Sequence, residues 1–468
     1  MTFIRSFLFI ALATGMAMHQ QACAQQDTLN HIVRGVLITG NKITKEHIVL
    51  RELVIHEGDT LSNANLRALI EKCQNNLINT RLFHSVQVVP AFISRDEVII
   101  RVELEERWYT WPIPIFEIAE TNFNTWWLTK DFSRTNYGFY IAKQNFRGRR
   151  ETLYLKLRFG YSKHYALRYQ APSVNKAQNL GFGLSVNYFQ NREITVGTEG
   201  NKRIFYSPED KGNSREEFVA ETNLTFRRGI YNSHTGRIKY TKALVDDTVT
   251  TNYPGYFFLN RNYSEFITLS YTFKHDKRDV QAYPLHGHLL EATAIKNGLG
   301  FVQNNDLDLL ITYFKFKKYW QLGARTFMAS SVRLKATVND PPYYNQEGMG
   351  YTDFVRGYEF YVIDGQHYGL FRSNFKYQLV KPTKINMGKM RNNFFSTFQF
   401  AFYLNAFFDI GYVVDDLYED VNPLSNGNMN GYGIGLDFVT IYDYIVRMEV
   451  TRNALGETGF FLHFRQPI

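Results

Sequence analysis

The chain has 468 residues and a formal net charge of +9; 44% of its residues are hydrophobic, 21% charged and 16% aromatic. The mean hydropathy is −0.31, so the apolar residues are dispersed along the chain. A polytopic helical membrane protein is excluded, because each span needs ~20 consecutive apolar residues and only the N-terminus comes near that length. The abundant aromatic residues exclude a disordered chain. A soluble multidomain protein or a transmembrane β-barrel remains, and the composition favours the barrel.

Residues 1–24 predict a secretory signal peptide, with Arg5 as its positive charge, an apolar stretch, and a small-x-small cleavage site at its end. A short anchor helix and a lipoprotein signal with Cys23 as the lipidated residue are the alternatives. Removal of the signal leaves Cys73 as the sole cysteine, so no intramolecular disulfide can form. We expect Cys73 to be a buried thiol, and residues 25–32 to be a linker.

Residues 33–107 form the first predicted domain, a small α+β unit with the order β-α-α-β-β. Apolar residues from Leu66 to Ile78 are spaced by 3, 1, 3, 4 and 1 positions, which indicates an amphipathic helix. Thr44 and Ser62 stand where N-caps of the two helices are expected. The predicted elements are a strand at 36–38, helices at 44–53 and 63–80, and strands at 84–93 and 97–105.

Residues 108–468 alternate with a period of two and predict an all-β transmembrane barrel of about 16 antiparallel strands. In the segment 331–338, for example, Val, Leu, Ala and Val alternate with Ser, Arg, Lys and Thr. Apolar side chains toward lipid and polar side chains toward a lumen explain this pattern, and a closed barrel leaves no backbone unpaired in lipid. The basic group at 147–150 indicates a solvated turn or a contact with anionic lipid head groups, and no nucleic acid is expected as a partner.

The segment Val355-Arg356-Gly357-Tyr358 lies in a long connection, 339–366, between two predicted strands. An α+β domain before a barrel with this motif resembles the BamA/TamA superfamily of outer-membrane assembly barrels, also called the bacterial surface antigen family, here with a single POTRA domain. The resemblance implies that the connection folds back into the barrel. A charged Arg356 in the lumen then needs an anionic partner.

The segment from Phe407 to Gly411 resembles a second motif of these barrels, an aromatic residue followed by Asp-x-Gly on the thirteenth strand. The resemblance implies that Asp409 faces the lumen and receives Arg356, and that Gly411 leaves room for the connection. The alternation along the strand places Phe408 toward lipid and Phe407 toward the lumen. An aspartate at a strand end beside a turn is the alternative. Glu359 is a second candidate partner for Arg356.

The end of the chain fits the signal that outer-membrane proteins present to their assembly machinery (polar, x, Gly, x, x, apolar, x, aromatic). Its four positions are Glu457, Gly459, Leu462 and Phe464. Many outer-membrane proteins end on the aromatic residue, whereas four residues follow here and include Pro467, which cannot donate to a ladder. The paired strand is therefore expected to end near Phe464.

The resemblance implies a protein insertase or translocase whose barrel opens at a lateral seam between its first strand, about 111–120, and its last, about 458–466. Pro112 and Pro114 remove backbone donors from the first strand, which weakens the seam. The implied partners are unfolded outer-membrane or secreted clients, which would add strands to the seam and the POTRA domain. Outer-membrane lipid and periplasmic accessory proteins are the further partners expected.

Two other functions compete with this interpretation. A passive outer-membrane pore or surface antigen would use the same barrel without assembly activity. An outer-membrane enzyme is disfavoured, because no histidine has a recognisable nucleophile beside it and no Gly-x-Ser-x-Gly occurs. The pair His286 and His288 fits a hairpin turn better than a metal site. No cofactor and no metal are predicted.

Overall fold

The computed structural model describes most of the chain that follows the predicted signal peptide; the signal peptide itself, with Cys23, lies outside the described residues. Among the helices of the described chain, none is long and apolar enough to cross a membrane. The described residues are 30–118, 134–209, 212–302, 307–386, 397–440 and 443–464.

The N-terminal domain is a four-stranded sheet in the order β2-β1-β4-β3, with two helices packed against it. Strands β1 and β4 are parallel, and the other neighbours are antiparallel. A short strand β2 between the helices adds one element to the predicted order. The bounds are β1 Asn30–Thr39, α1 Glu46–Leu50, β2 Thr60–Ser62, α2 Asn63–Asn79, β3 Phe83–Phe92 and β4 Glu97–Glu106.

Helix α2 begins where the sequence predicts, because the Ser62 hydroxyl accepts a hydrogen bond from the Asn65 N–H. Its apolar face completes the core of the domain, and Cys73 is fully buried there. Burial raises the pKa of the Cys73 thiol, which keeps it protonated. The prediction for Thr44 is wrong: Lys45 is the N-cap of α1, and the Thr44 hydroxyl donates to Glu106 at 2.6 Å.

In the described residues that follow this domain, sixteen antiparallel strands form one sheet, each paired with its neighbours in the sheet order, as predicted. A separate hairpin of β10 (Ile194–Glu199) and β11 (Lys202–Tyr206) and a short helix α3 (Asp247–Asn252) lie in its connections. The sixteen strands are β5 Thr110–Ile118, β6 Thr135–Phe146, β7 Glu151–Gly160, β8 Lys163–Ala171, β9 Leu180–Asn191, β12 Arg215–Arg228, β13 Asn232–Val245, β14 Tyr263–Asp276, β15 Gly287–Asn297, β16 Leu309–Gln321, β17 Thr326–Val338, β18 His367–Asn386, β19 Thr397–Val414, β20 Asn428–Thr440, β21 Ile445–Asn453 and β22 Thr458–His463.

The two faces of these strands differ as a transmembrane barrel requires. In β17, Leu334 is 47% exposed on the outer face, whereas Ser331 and Lys335 are buried on the inner face. Strand β21 repeats the pattern with Val450 outside and Glu449 inside. The apolar residues therefore face out, where lipid covers them, and the polar residues face the lumen.

The direction of β5 gives the barrel two distinguishable ends. Thr110 follows the N-terminal domain directly, so β5 runs away from that domain, and every second connection returns to it. We call the end beside the N-terminal domain the near end and the opposite end the far end. The β10–β11 hairpin follows β9, the fifth of the sixteen strands, and the connection 339–366 follows β17, the eleventh. Both strands run away from the N-terminal domain, so both connections lie at the far end.

Candidate functional site

The connection from β17 to β18, residues 339–366, is folded inward at the far end; we call it the docking loop. Val355 and Tyr358 are each 1% exposed and pack with buried apolar residues of the wall, among them Leu370 and Val413. Met349 and Ile363 form an isolated antiparallel bridge that fixes the base of the loop. The loop is therefore part of the barrel interior and does not extend into solvent.

Arg356, at the tip of the docking loop, binds both carboxylate oxygens of Asp409 in β19. The Arg356 Nε donates to Oδ2 at 2.8 Å, one terminal nitrogen donates to Oδ1, and the backbone N–H donates to Oδ2 at 3.2 Å. The two side chains are 2% and 0% exposed. This bidentate geometry is the strongest arrangement that a guanidinium and a carboxylate can form.

Further buried charges surround this pair. Glu449 of β21 accepts from Arg356 Nη1 at 3.3 Å and from Arg447 Nη2 at 2.7 Å. The Arg372 Nε lies 3.8 Å from Asp409 Oδ2. Three guanidinium groups thus share two carboxylates, which lowers the electrostatic cost of burying each charge. The loop is held by a network that spans β18, β19 and β21.

Two contacts complete the surroundings of the guanidinium. Its carbon lies 3.7 Å from the centroid of the Phe407 ring, a close cation–π arrangement, and one nitrogen donates to the Ser373 carbonyl at 3.5 Å. His463 of the last strand lies 3.5 Å from both Glu449 and Glu359. The network therefore reaches the edge of the sheet.

Glycines make the docked path sterically possible. A Cβ on Gly431 of β20 would lie 1.8 Å from the Arg356 carbonyl oxygen, and one on Gly411 would lie 2.5 Å from Val355 Cγ2. Gly357 has φ +96°, a conformation that side chains rarely adopt, and its carbonyl accepts from Asn453 at 2.8 Å. The docking loop can therefore approach the barrel wall this closely only because the wall carries glycine at these positions.

Phe408 lies on the outer face at 41% exposure, whereas Phe407 and Asp409 face inward. Glu359 does not contact Arg356; it accepts from the Gly357 N–H at 2.7 Å. The sequence reasoning missed Gly431 and Glu449. The alternation of β21 places Glu449 on the inner face, but nothing in a strand pattern says which luminal cation it meets.

In the first strand, β5, the nitrogens of two prolines point away from the partner strand β6. Opposite residues in an antiparallel pair alternate between those that exchange hydrogen bonds and those whose backbone groups point outward. The Gln144 N–H donates to the Tyr109 carbonyl at 2.7 Å, and the β5–β6 register is regular from Thr110 onward. Pro112 and Pro114 therefore hold outward positions, where each lacks a donor at the free edge.

The last strand, β22, retains all the backbone donors along the described part of its free edge. The Asn453 N–H donates to the Glu457 carbonyl, so the backbone groups of Thr458, Phe460 and Leu462 point to the free edge. Over the described chain, no ladder joins β5 to β22, which stand at the two ends of the sheet order.

The residues of the predicted C-terminal signal surround this free edge. Gly459 faces inward, and Leu462 and Phe464 are exposed on the outer side at 50% and 71%. Glu457 accepts from the Tyr361 hydroxyl and the Asn453 amide, each at 2.7 Å, so it ties the docking loop to the turn before β22. Pro467 lies outside the described residues.

The N-terminal domain is docked on the near end. Arg227, at the end of β12, donates to both carboxylate oxygens of Glu52 at 2.6 and 2.7 Å, and Arg150 reaches the same carboxylate at 3.4 Å. Burial acts to raise the pKa of Glu52, but the bonds and charges of these arginines lower it below its ordinary value of 4.5. A second contact joins the domain to the connection between β20 and β21, where Arg107 pairs with Asp443 at 3.0 Å.

In the described part of the chain, no group of three or more His, Cys, Asp or Glu residues is arranged to hold a metal ion. His288 instead stacks with His275, their ring centroids 5.3 Å apart.

Comparison with known proteins follows the same division of the chain. Residues 31–107 match the POTRA family model, described as surface antigen variable number repeat. No curated protein matches the sequence. Among solved structures, CdiB from Escherichia coli is similar with a TM-score of 0.54 at 12% identity, over 93% of this chain and 75% of that one. BamA from Haemophilus ducreyi lacking POTRA domains 1–3 gives a TM-score of 0.49 at 15% identity, over 92% and 83%.

These likenesses concern the fold. The resemblance stated from the sequence is confirmed at that level: among the described residues, a POTRA domain precedes a sheet of sixteen antiparallel strands with a barrel fold similar to that of CdiB.

Proposed function

We propose that this chain is an outer-membrane protein that inserts or translocates client polypeptides, with its POTRA domain in the periplasm and its far end at the cell surface. Clients would enter through the seam between β5 and β22. The observation that carries the proposal is that these two strands share no ladder among the described residues, although every other neighbouring pair of the sixteen does.

An open seam in a bilayer has a direct chemical consequence. The hydrocarbon core offers no water to satisfy N–H and C=O groups, so an unpaired strand edge there binds any segment that supplies complementary groups. An unfolded outer-membrane strand is such a segment, and it would pair by β-augmentation. The driving force is the folding of the client itself.

The POTRA sheet offers a second edge to the same clients. Strand β3 stands at the end of the sheet order, and Val89, Phe92 and the following Ile93 are exposed beside it. A client segment could pair there before it reaches the seam. Pro90 removes one donor from β3, so this edge is suited to transient pairing.

The contents of the lumen argue against the alternative of a wide passive pore. The docking loop fills part of the far end, where the Val362 N–H donates to the Asn201 carbonyl at 2.9 Å. Asn201 in turn binds Asn422 of the β19–β20 connection at 3.0 Å. We expect small, irregular conductance in planar bilayers; a large and steady conductance would favour the pore.

Depletion of the protein in its native host tests the function. We expect the outer-membrane proteome to lose either many barrel proteins, which indicates general assembly, or one, which indicates a dedicated transporter. Complementation with the wild-type chain should restore the loss. An unchanged outer membrane would contradict the proposal and leave the surface antigen as the better interpretation.

A cross-linked seam makes the test specific. Phe116 of β5 and Phe460 of β22 both face outward, so a F116C/F460C pair joined by a bifunctional thiol reagent should abolish complementation. The control is Y137C/F159C, because these residues are opposite each other in the paired strands β6 and β7. If both cross-linked proteins complement equally, the seam is not the route of the client.

A further inference from the structure

A cavity of about 320 Å³ lies at the near end, where the POTRA domain meets the barrel; we call it the junction cavity. Arg51 and Asn76 of the POTRA domain line it, together with residues from the near ends of β12 and β14 and from the β6–β7 turn. We propose that the junction cavity binds a phosphate group and that the bound phosphate holds the POTRA domain on the barrel. This goes beyond the proposed function, because it does not depend on how clients enter.

The lining of the junction cavity carries more positive than negative charge. Two of its residues are carboxylates, Glu52 and Asp276. Its five cationic residues are Arg51, Arg150, Arg227, Lys274 and Arg278. Three positive charges thus have no counter-charge among the lining residues, in a site that the POTRA domain and the barrel partly shield from water. An anion in the cavity would lower the electrostatic cost of holding these groups together.

Both carboxylates already have cationic partners. Arg227 binds both oxygens of Glu52, and Arg150 also reaches this carboxylate. Asp276, the last residue of β14, pairs with Arg278 at 2.7 Å. The two carboxylates are 4% and 6% exposed, so each is committed to the arginines beside it. The remaining positive charge of the cavity is therefore available to a ligand.

Arg51 has donors that no other described residue uses. It directly follows helix α1 and precedes Glu52 in the chain, yet its guanidinium forms neither a hydrogen bond nor an ion pair with any described residue. Burial and the charge of Arg227 lower the pKa of Arg51 to about 10, as expected where positive charges crowd together. The fork of Arg51 can therefore donate to a ligand in the cavity.

Hydrogen bonds between the POTRA domain and the barrel hold this lining in place. Asn79 of α2 donates to the Asp279 carbonyl at 2.7 Å and accepts from the Gln281 N–H at 2.8 Å. Within the POTRA domain, the Asn76 amide donates to the Glu52 carbonyl at 3.0 Å. The backbone on both sides of the cavity is thus fixed before a ligand binds, so binding requires little reordering.

A phosphate group matches this lining in charge and geometry. A guanidinium donates in a planar fork to two oxygens, and a phosphate has enough oxygens to accept from more than one fork at a time. A dianionic phosphate would neutralise two of the three excess charges, and the volume admits one such group with water around it. The phosphate belongs either to a free ion or to a lipid head group at the membrane surface.

A phosphate in the junction cavity would contact both parts of the protein. Arg51 belongs to the POTRA domain, whereas Arg150 belongs to the β6–β7 turn, the basic group that the sequence indicates. The site exists only while the domain is docked. A ligand that binds the docked and not the undocked arrangement shifts the equilibrium toward docking.

The test uses the full chain in dodecyl maltoside micelles, which contain no phosphate, with inorganic phosphate as the probe. Calorimetric titration at constant ionic strength measures the affinity without a change in salt screening. We expect one saturable site per chain. R51Q and R150Q, one from each part, should each weaken binding roughly ten-fold, because each removes charge-assisted hydrogen bonds to the phosphate.

R67Q is the matched control, since Arg67 is an exposed arginine of helix α2 that does not line the cavity. R67Q should bind phosphate as tightly as the wild-type protein, and R51K, which keeps the charge but loses the fork, should lie between R67Q and R51Q. A folded band that shifts on heating confirms that each variant forms a barrel. Absence of a saturable site, equal affinity in R51Q and R67Q, or a loss in only one of R51Q and R150Q would overturn the proposal.

Spin labels at Arg95 of the POTRA domain and Leu322 of a near-end turn, both exposed, test the effect on docking. Phosphate should narrow the distance distribution in the wild-type protein and leave that of R51Q unchanged; binding without narrowing would show that phosphate does not hold the domain. Nanodiscs that contain phosphatidic acid distinguish the two sources. If the lipid supplies the phosphate, the distribution is narrow from the start and the apparent affinity for inorganic phosphate falls, whereas an unchanged affinity identifies the free ion as the ligand.

Discussion

The protein contains two docked segments whose interfaces differ in kind. The docking loop is held by Arg356 and Asp409, whose side chains are almost without solvent contact. The POTRA domain is held on the near end by two pairs that are partly exposed: Glu52 at 4% with Arg227 at 18%, and Arg107 at 9% with Asp443 at 21%. Charge pairs that water reaches are weaker and are sensitive to salt and pH.

This difference indicates which segment can move while the barrel stays folded. Releasing Arg356 would take from the buried Asp409 its bidentate partner and from the buried Glu449 one of its two arginines, so the loop is part of the folded state. Releasing Glu52 exposes its carboxylate and the Arg227 guanidinium to water at the barrel mouth, which solvates both. We therefore expect the POTRA domain to undock under conditions in which the loop stays in place.

The largest effect is expected from R356A. The change leaves Asp409 and Glu449 buried without their shared cation, which should cost about 3–5 kcal/mol of folding free energy. The folded band in semi-native gels should then disappear at a lower temperature than in the wild-type protein. The control is R452A, an exposed arginine on the outer face of β21. An unchanged transition would show that the pair does not stabilise the barrel.

A smaller loss is expected from G431A. Its Cβ would overlap the Arg356 carbonyl oxygen, and forcing extra volume into a packed site costs about 1–3 kcal/mol. The docking loop should become accessible to protease while the strands remain. G427A is the control, since its Cβ would meet nothing closer than 3.5 Å in the connection before the same strand. If the docking loop resists protease equally in G431A and G427A, it does not lie against Gly431.

The sequence predicted the fold well because its two periodicities are strong. The alternation along β17 and β21 and the capped helix α2 both follow from local side-chain preference. The short strand β2 was missed because three residues carry no period of their own. Thr44 was misassigned as a cap because its hydroxyl finds the distant carboxylate of Glu106, which local pattern does not reveal.

The candidate site was predictable only in part. The Arg356–Asp409 pairing was implied by a family resemblance, since 53 residues separate the two and no spacing rule connects them. Gly431 and Glu449 lie on strands that meet the loop only after the barrel has formed. The direction of the proline nitrogens in β5 required the register with β6, which a sequence alone does not provide.

The smallest effect concerns the POTRA interface and is predicted for E52Q. The amide keeps the size of the side chain but loses the charge and one of the two acceptors that Arg227 uses, so docking should weaken by about 1–2 kcal/mol. Spin labels at the exposed residues Arg95 of the POTRA domain and Leu322 of a near-end turn report the distance between the two parts. The distance distribution should broaden relative to the wild-type protein.

The same carboxylate gives the interface a pH dependence whose direction follows from its lowered pKa. A carboxyl group that is more acidic when docked contributes its full stabilisation above its ordinary value of 4.5 and loses it as the pH falls through the lowered value. The wild-type distance distribution should therefore broaden only below about pH 4.5, whereas that of E52Q should change less over the same range. E97Q is the control, because Glu97 pairs with Arg34 within the POTRA domain. If E97Q removes the pH response as fully as E52Q does, the Glu52–Arg227 pair is not what holds the domain on the barrel.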